Sequence, residues 1–287
     1  MKIQILGAGA LGSLFGALIS LAGYKVVFVA RGKQFEALKK GLKISGILNL
    51  ELKVQATDKP EDADLSFITV KAYDTENAVK QLSKVNAGIV CSLQNGIGLE
   101  NIISEYFENF VRGVTTYAAN LADFGHVVFA GKGYTYLGDW KGKGAKVVAE
   151  VLNSSGMKAE VVEDVERRVW IKAAINAVIN PITALCRVRN GAIVEREDLW
   201  IVAEALAEEC EKVLKAKGYE LNLKEEVARV AKMTALNRSS MLQDVERGKR
   251  TEIDFINGAF VKEAKKLGID CKINEMIWRM VRAVGST

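Results

Sequence analysis

The sequence predicts an α/β fold in two parts: an N-terminal parallel sheet with an antiparallel extension, then an all-helical C-terminal domain. Three observations carry that prediction. Short apolar runs alternate with helical segments along the first third of the chain, and a glycine-rich turn joins the first such pair. Beyond about Glu163 the glycines thin out and helical periodicity takes over. Buried strands alternating with helices imply a parallel sheet with right-handed crossovers. At 287 residues the chain is long enough for two cores. The change of pattern places one domain at 1–163 and the other at 164–287.

Taken in order, residues 3–6 (Ile-Gln-Ile-Leu) are a short apolar strand that stops at Gly7. Over 11–21 apolar and small residues recur at helical spacing, and Gly23 ends that segment. Residues 25–30 (Lys-Val-Val-Phe-Val-Ala) are rich in β-branched side chains and read as a second strand. A strand at 65–70, a helix at 75–82 and a strand at 88–93 continue the alternation. Residues 111–138 mix glycines, aromatics and alternation, and suggest an antiparallel extension of the same sheet. In the second half, a helix is expected at 165–179, followed by Pro181. Another is expected at 199–216, stopped by Gly218, and a third at 251–267 with Gly268 as its C-cap.

Gly7-Ala8-Gly9-Ala10-Leu11-Gly12 matches G-x-G-x-x-G. The pattern alone is weak, but here it follows a strand and opens a helix, the setting of a Rossmann-type dinucleotide site. Gly7 permits the tight turn, Gly9 lets backbone approach a pyrophosphate, and Gly12 lets helix and strand pack closely. The unpaired N–H groups of the helix N-terminus then face the phosphates. An NAD site usually has a carboxylate at the end of the second strand; here stands Arg31, with Lys33 behind it and no acid before Glu36. A guanidinium suits a 2′-phosphate, which favours NADPH. NADH use stays open, as does Arg31 as a solvated loop residue.

Composition excludes several classes. The net charge of +5 arises from 40 basic and 35 acidic residues scattered along the chain, which gives no basic face for nucleic acid. Lys132, Lys141, Lys143 and Lys146, set among glycines, read as a solvated loop. The single histidine, His126, argues against a His-based metal site or a Ser-His-Asp triad, so no metal is expected. Cys91, Cys186, Cys210 and Cys271 form no Cys-x-x-Cys pair, and the first strand starts too early to leave room for a leader. Reduced thiols and a cytoplasmic location are expected. No uninterrupted apolar run is long enough to span a membrane. The oligomeric state is not fixed by the sequence, and a homodimer stays open.

Within the helix expected after residue 165, Lys172, Asn176 and Asn180 recur at i, i+4 and i+8. They share one face, drifting by about 40° per step. Their neighbours, among them Ile171, Ala173, Ala174, Ile175, Ala177 and Val178, are apolar. Polar groups on so buried a helix need partners. A substrate would serve, and so would a structural seam between helices.

At these residues the chain resembles the ketopantoate reductases (2-dehydropantoate 2-reductases). Residues 170–184, Trp-Ile-Lys-Ala-Ala-Ile-Asn-Ala-Val-Ile-Asn-Pro-Ile-Thr-Ala, look like that family's Lys, Asn and Asn-Pro pattern. Residues 239–258, with Ser240, Leu242-Gln243-Asp244 and Thr251-Glu252-Ile253-Asp254-Phe255-Ile256-Asn257-Gly258, are similar to its second pattern. Val70-Lys71-Ala72 and Gln94-Asn95-Gly96 resemble its two loops beside the nicotinamide. The resemblance implies reduction of the C2 ketone of 2-dehydropantoate to (R)-pantoate on the route to coenzyme A. It implies Lys172 as general acid and Glu252 as the group that binds the substrate hydroxyl. It implies that Asn176, Asn180 and Ser240 hold the carboxylate end and the chain. Asn95 would touch the nicotinamide ribose, with Lys71 near the cofactor and the reacting carbonyl. Glu252 should be an early helical residue that Thr251 can cap, keeping its carboxylate ionised. Two other readings stand beside this one: a reductase of another branched 2-oxo acid, and a protein that senses NADPH without turnover. Coenzyme A carries a pyrophosphate of its own and is a candidate feedback inhibitor at residues 7–12. Cys91 would join such inhibition through a mixed disulfide only if it faced the cofactor cleft partly ionised.

Overall fold

β1 (Lys2–Leu6) is fully buried over residues 3–6, as a strand covered on both faces must be. The computed structural model, which describes residues 1–285, continues with α1 (Ala10–Leu21), β2 (Lys25–Val29), α2 (Gly32–Lys40), β3 (Leu42–Gly46), β4 (Leu50–Leu52) and β5 (Gln55–Thr57). Next come β6 (Leu65–Ile68), α3 (Thr75–Leu82), β7 (Ile89–Ser92), α4 (Leu99–Ser104) and β8 (Phe110–Thr115). They are followed by β9 (Ala118–Asp123), β10 (His126–Gly131), β11 (Thr135–Lys141), α5 (Ala145–Ser154) and β12 (Ala159–Val161). The rest is helical: α6 (Val165–Cys186), α7 (Ala192–Glu195), α8 (Glu197–Ala216), α9 (Leu223–Met233), α10 (Ser240–Glu246), α11 (Asn257–Leu267) and α12 (Lys272–Val284). Two compact units result. One comprises Met1–Gln94 and Leu99–Val165, and the other comprises Asn95–Gly98 and the chain from Glu166 on.

The main sheet has eight strands in the order β12-β11-β8-β7-β6-β1-β2-β5. It is parallel from β8 to β5, and β11 enters it antiparallel to β8. The antiparallel extension expected over 111–138 is therefore half right. β8 and β11 extend this sheet, whereas β9 and β10 leave it and form a second, four-stranded sheet in the order β4-β3-β10-β9. Alternation along a strand marks its faces but not its partner, because the partner is chosen far away in sequence. The lysine cluster needs a similar correction. Lys141 ends β11 and pairs with Glu108 at 2.8 Å, and Lys146 lies in α5. Asp139 caps that helix from the preceding strand, accepting from Gly144 N and Ala145 N at 2.8 and 2.7 Å.

In the helical unit the structure departs from the expected helices at two places. α6 does not stop before Pro181 but runs through it to Cys186. Proline has no N–H, so the carbonyl of Ala177, four residues back, loses its intrahelical donor. Asn257 Nδ2 supplies one instead, 2.8 Å from Ala177 O. With that carbonyl satisfied, the apolar surface of α6 keeps the helix intact, and Ala173, Ala174, Ala177 and Val178 are core residues. α6 is also long and apolar enough to cross a membrane, but 67% of that stretch is buried in the protein, as in a core helix. The second departure is at Thr251. Residues 253–255 form a 3₁₀ turn and α11 begins only at Asn257, so Thr251 caps no helix. Its expected C-cap, Gly268, is present in the left-handed conformation at φ +68°.

Candidate active site

In the sheet unit, Gly7 N and Ala8 N donate to Val29 O at 3.1 and 3.3 Å, folding the turn over the end of β2. Gly7 has φ +102°, and a Cβ there would stand 2.5 Å from Val70 N. A Cβ on Gly12 would stand 2.4 Å from both Gly7 O and Thr69 Oγ1. The protein itself thus requires two of the three glycines. Gly9 differs, since a Cβ there would meet nothing within 4 Å. That open space at the start of α1 is what a close-approaching phosphate needs. No side chain caps α1 and no acid stands in its first turn, so the N–H groups of Ala10, Leu11 and Gly12 have no intrahelical partner. The residues present fit a dinucleotide.

Arg31 is the exposed N-cap residue of α2, a helix that also lacks a side-chain cap and a first-turn acid. Lys71 is half-buried ahead of the 3₁₀ turn Ala72–Asp74. Gln94 fixes the backbone beside it, with Nε2 donating to Val70 O at 2.9 Å and Thr75 Oγ1 at 2.8 Å, and Oε1 accepting from Ser92 Oγ at 3.0 Å. Thr69 Oγ1 donates to Gly7 O at 2.8 Å, tying the same loop to the glycine turn. Beneath them Arg112 is buried, its Nε 2.6 Å from Glu100 Oε1 and its Nη1 3.2 Å from Ser92 O.

In the helical unit, Lys172 and Asn176 are half-buried on α6 and Asn180 is buried. Among the described residues the Asn180 side-chain amide has no hydrogen-bond partner and is not among the sealed-off polar atoms, which leaves it available to a ligand. Glu252 is buried at the head of the 3₁₀ turn Ile253–Phe255. Among the contacts that hold that turn, Phe255 O accepts from Ile97 N at 2.9 Å, and Asp254 Oδ1 accepts from Trp278 Nε1 at 2.8 Å. The Ile97 bond also reaches the loop that carries Asn95. Asn257, two residues past the turn, bonds back to α6 and also to Asn274 Oδ1 at 2.9 Å.

A family model described as ketopantoate reductase PanE/ApbA matches residues 3–142, and one described as ketopantoate reductase PanE/ApbA C terminal matches residues 164–285. The chain belongs to the ketopantoate reductase family. A 2-dehydropantoate 2-reductase of Archaeoglobus fulgidus is 60% identical across 99% of this chain and 98% of its own length. One from Pyrococcus horikoshii is 39% identical across 99% and 97%. Among solved structures, a PanE/ApbA family ketopantoate reductase from Ralstonia eutropha aligns with a TM-score of 0.92 at 29% identity, over 99% of this chain and 98% of that one. D-mandelate dehydrogenase with NADH and anilino(oxo)acetate aligns equally well, with a TM-score of 0.92 at 27% identity over the same shares.

Within this member of the ketopantoate reductase family, the carried-over residues fall unevenly. Lys172, Asn176 and Asn180 share the predicted helix, and Asn257 ties that helix to the segment bearing Glu252. Ser240 is exposed as the first residue of α10, whereas its neighbour Ser239 is buried. Ser239 Oγ caps α10 through Leu242 N at 3.1 Å and accepts from Thr183 Oγ1 at 2.7 Å. The condition set for Cys91 fails. It is fully buried, and burial pushes its thiol far above the ordinary range against a smaller opposite pull from Arg112. A thiol so placed is an inert small hydrophobe and takes no part in a mixed disulfide. Sequence reading named no role for Gln34, Gln94, Ser239 or Asn257. Gln94, Ser239 and Asn257 lay inside quoted segments, where their own roles depend on partners far along the chain.

Proposed function

We propose that this enzyme reduces the C2 ketone of 2-dehydropantoate to (R)-pantoate in the cytoplasm, with NADPH as the preferred cofactor. The observation that carries the reading is the α6 stripe, a lysine and two amides on a buried helix, with the amide of Asn180 left without a protein partner. The likeness to curated 2-dehydropantoate 2-reductases over the whole chain supports the choice of substrate. NADPH, when bound, supplies the hydride to C2. Lys172 then donates a proton to the C2 oxygen as negative charge develops there, and solvent restores its ammonium. Asn176, Asn180 and Ser240 hold the carboxylate end and the chain by hydrogen bonds, and Glu252 accepts from the distal hydroxyl. On the cofactor side, residues 7–12 hold the pyrophosphate and Arg31 the 2′-phosphate. Asn95 would contact the ribose, and Lys71 would serve the cofactor and the reacting carbonyl.

A second reading has its own observation. The likeness to D-mandelate dehydrogenase with NADH favours a related 2-oxo acid and the other cofactor. A panel of 2-oxo acids assayed by absorbance loss with NADPH and with NADH separates the two. Highest kcat/KM for 2-dehydropantoate with NADPH is expected. A larger value for an aromatic 2-oxo acid, or for NADH, would overturn the corresponding half of the proposal.

A further inference from the structure

Gln34 lies three residues beyond Arg31, one turn along α2. Its Nε2 donates to Ala8 O at 2.7 Å, inside the phosphate-binding turn. Its Oε1 accepts from Gly125 N at 3.0 Å, in the turn between β9 and β10. A carboxylate could make only the second of these bonds and an ammonium only the first; an amide makes both.

The start of α2 hangs from the end of β2, where Gly7 N and Ala8 N donate to Val29 O and Ala30 N donates to Thr57 O at 3.0 Å, and within the helix Phe35 packs against the core. The one buried side chain of α2 is Leu38, near its far end, and no side chain caps its N-terminus. The β9–β10 turn closes on the helix from the side, and Gly125, at φ +71°, allows it, since a Cβ there would lie 3.1 Å from Ala37 Cβ. Gln34 is thus the side chain that hydrogen-bonds the first turn of α2 to both the glycine turn and the β9–β10 turn, where Lys33 also lies 6.0 Å from the Phe124 ring. A charge-assisted bond from Arg31 to a phosphate holds its strength only near its short optimum length. A drift of the helix start relative to residues 7–12 therefore moves the guanidinium off a phosphate whose ligand is anchored at the glycine turn.

We infer that Gln34 is a positioning residue for cofactor choice, locking Arg31 to the glycine turn so that a 2′-phosphate is preferred over a free 2′-hydroxyl. The inference rests on the reading of Arg31 proposed above, and its test separates the two. kcat/KM is measured with NADPH and NADH for the wild type, Arg31→Ala, Gln34→Met and the double variant, each checked by thermal melting. Methionine matches glutamine in length without its hydrogen bonds, and the half-buried site tolerates it. Gln34→Met is expected to lower the NADPH-to-NADH ratio about three- to tenfold, the span of a hydrogen bond. It should lower the ratio no further in the Arg31→Ala background, because residues acting through one contact are not additive. Equal losses for both cofactors would mean that Gln34 supports only the pyrophosphate turn, and a fully additive double variant that it does not act through Arg31. Either result, or an unchanged ratio in Gln34→Met beside a lowered one in Arg31→Ala, overturns the inference alone. An unchanged ratio in Arg31→Ala overturns the reading of Arg31 and the inference with it.

Discussion

Residues 7–12 offer backbone N–H groups and no functional side chain, whereas α6 offers Lys172, Asn176 and Asn180 and no free backbone donor at those positions. The two surfaces tolerate different changes. In the turn, what matters is where a Cβ can stand, so the glycines divide into two that the fold needs and one that only a ligand needs. On α6, what matters is side-chain chemistry and the continuity of the helix that carries it. That continuity is borrowed, since Asn257 fills the bond that Pro181 cannot make. A backbone site is thus made locally and needs little help, while a side-chain site on a long helix depends on groups far along the chain.

The largest effect should come from the side-chain half. Lys172→Ala is expected to lower kcat by roughly 10²- to 10⁴-fold, the range for losing a positioned proton donor. NADPH affinity, followed by fluorescence titration, should change little. Near wild-type kcat would remove Lys172 from the chemistry and make the stripe a structural seam.

The dependence of α6 on a distant residue is tested next. Asn257→Ala should destabilise by about 1–3 kcal/mol, because it leaves a buried carbonyl without a donor. Denaturant unfolding should show a smaller loss in a Pro181→Ala background, where residue 181 regains its N–H. The same loss in both backgrounds would assign the effect to the Asn274 contact and leave Ala177 out of it.

The smallest structural effect should be at Gly9. Gly12→Ala meets Gly7 O and Thr69 Oγ1, and overpacking of that kind costs about 1–3 kcal/mol. Gly9→Ala should leave the melting temperature of the free protein unchanged and still weaken NADPH, since only a ligand would meet the new methyl. A destabilised Gly9→Ala would mean that this glycine serves the turn, and the division drawn above would fail.

Much of this protein is decided within short windows of sequence. A tight turn between strand and helix involves neighbouring residues only, so G-x-G-x-x-G at residues 7–12 could be read with its purpose. The period of α6 and the C-cap at Gly268 were legible for the same reason, since helix geometry repeats every few residues. Partners that lie far along the chain were not legible. β9 and β10 lie in the same stretch as β8 and β11, yet β10 pairs with β3 and β9 with β10 in a separate sheet, because a strand pattern carries no address. Pro181 reads as a stop, and becomes part of a helix only because Asn257, far along the chain, reaches Ala177. Thr251 reads as a cap, but the backbone turns as 3₁₀ and the helix starts later. Cys91 reads as a strand residue of unknown facing, and the packing of the sheet buries it. The sequence by itself determined the opening strand–helix alternation, the glycine turn and the stripe, because each is written in local spacing. Only the tertiary structure decided which carbonyls, amides and thiols are satisfied or sealed off, because hydrogen bonding and burial depend on what arrives from elsewhere in the chain.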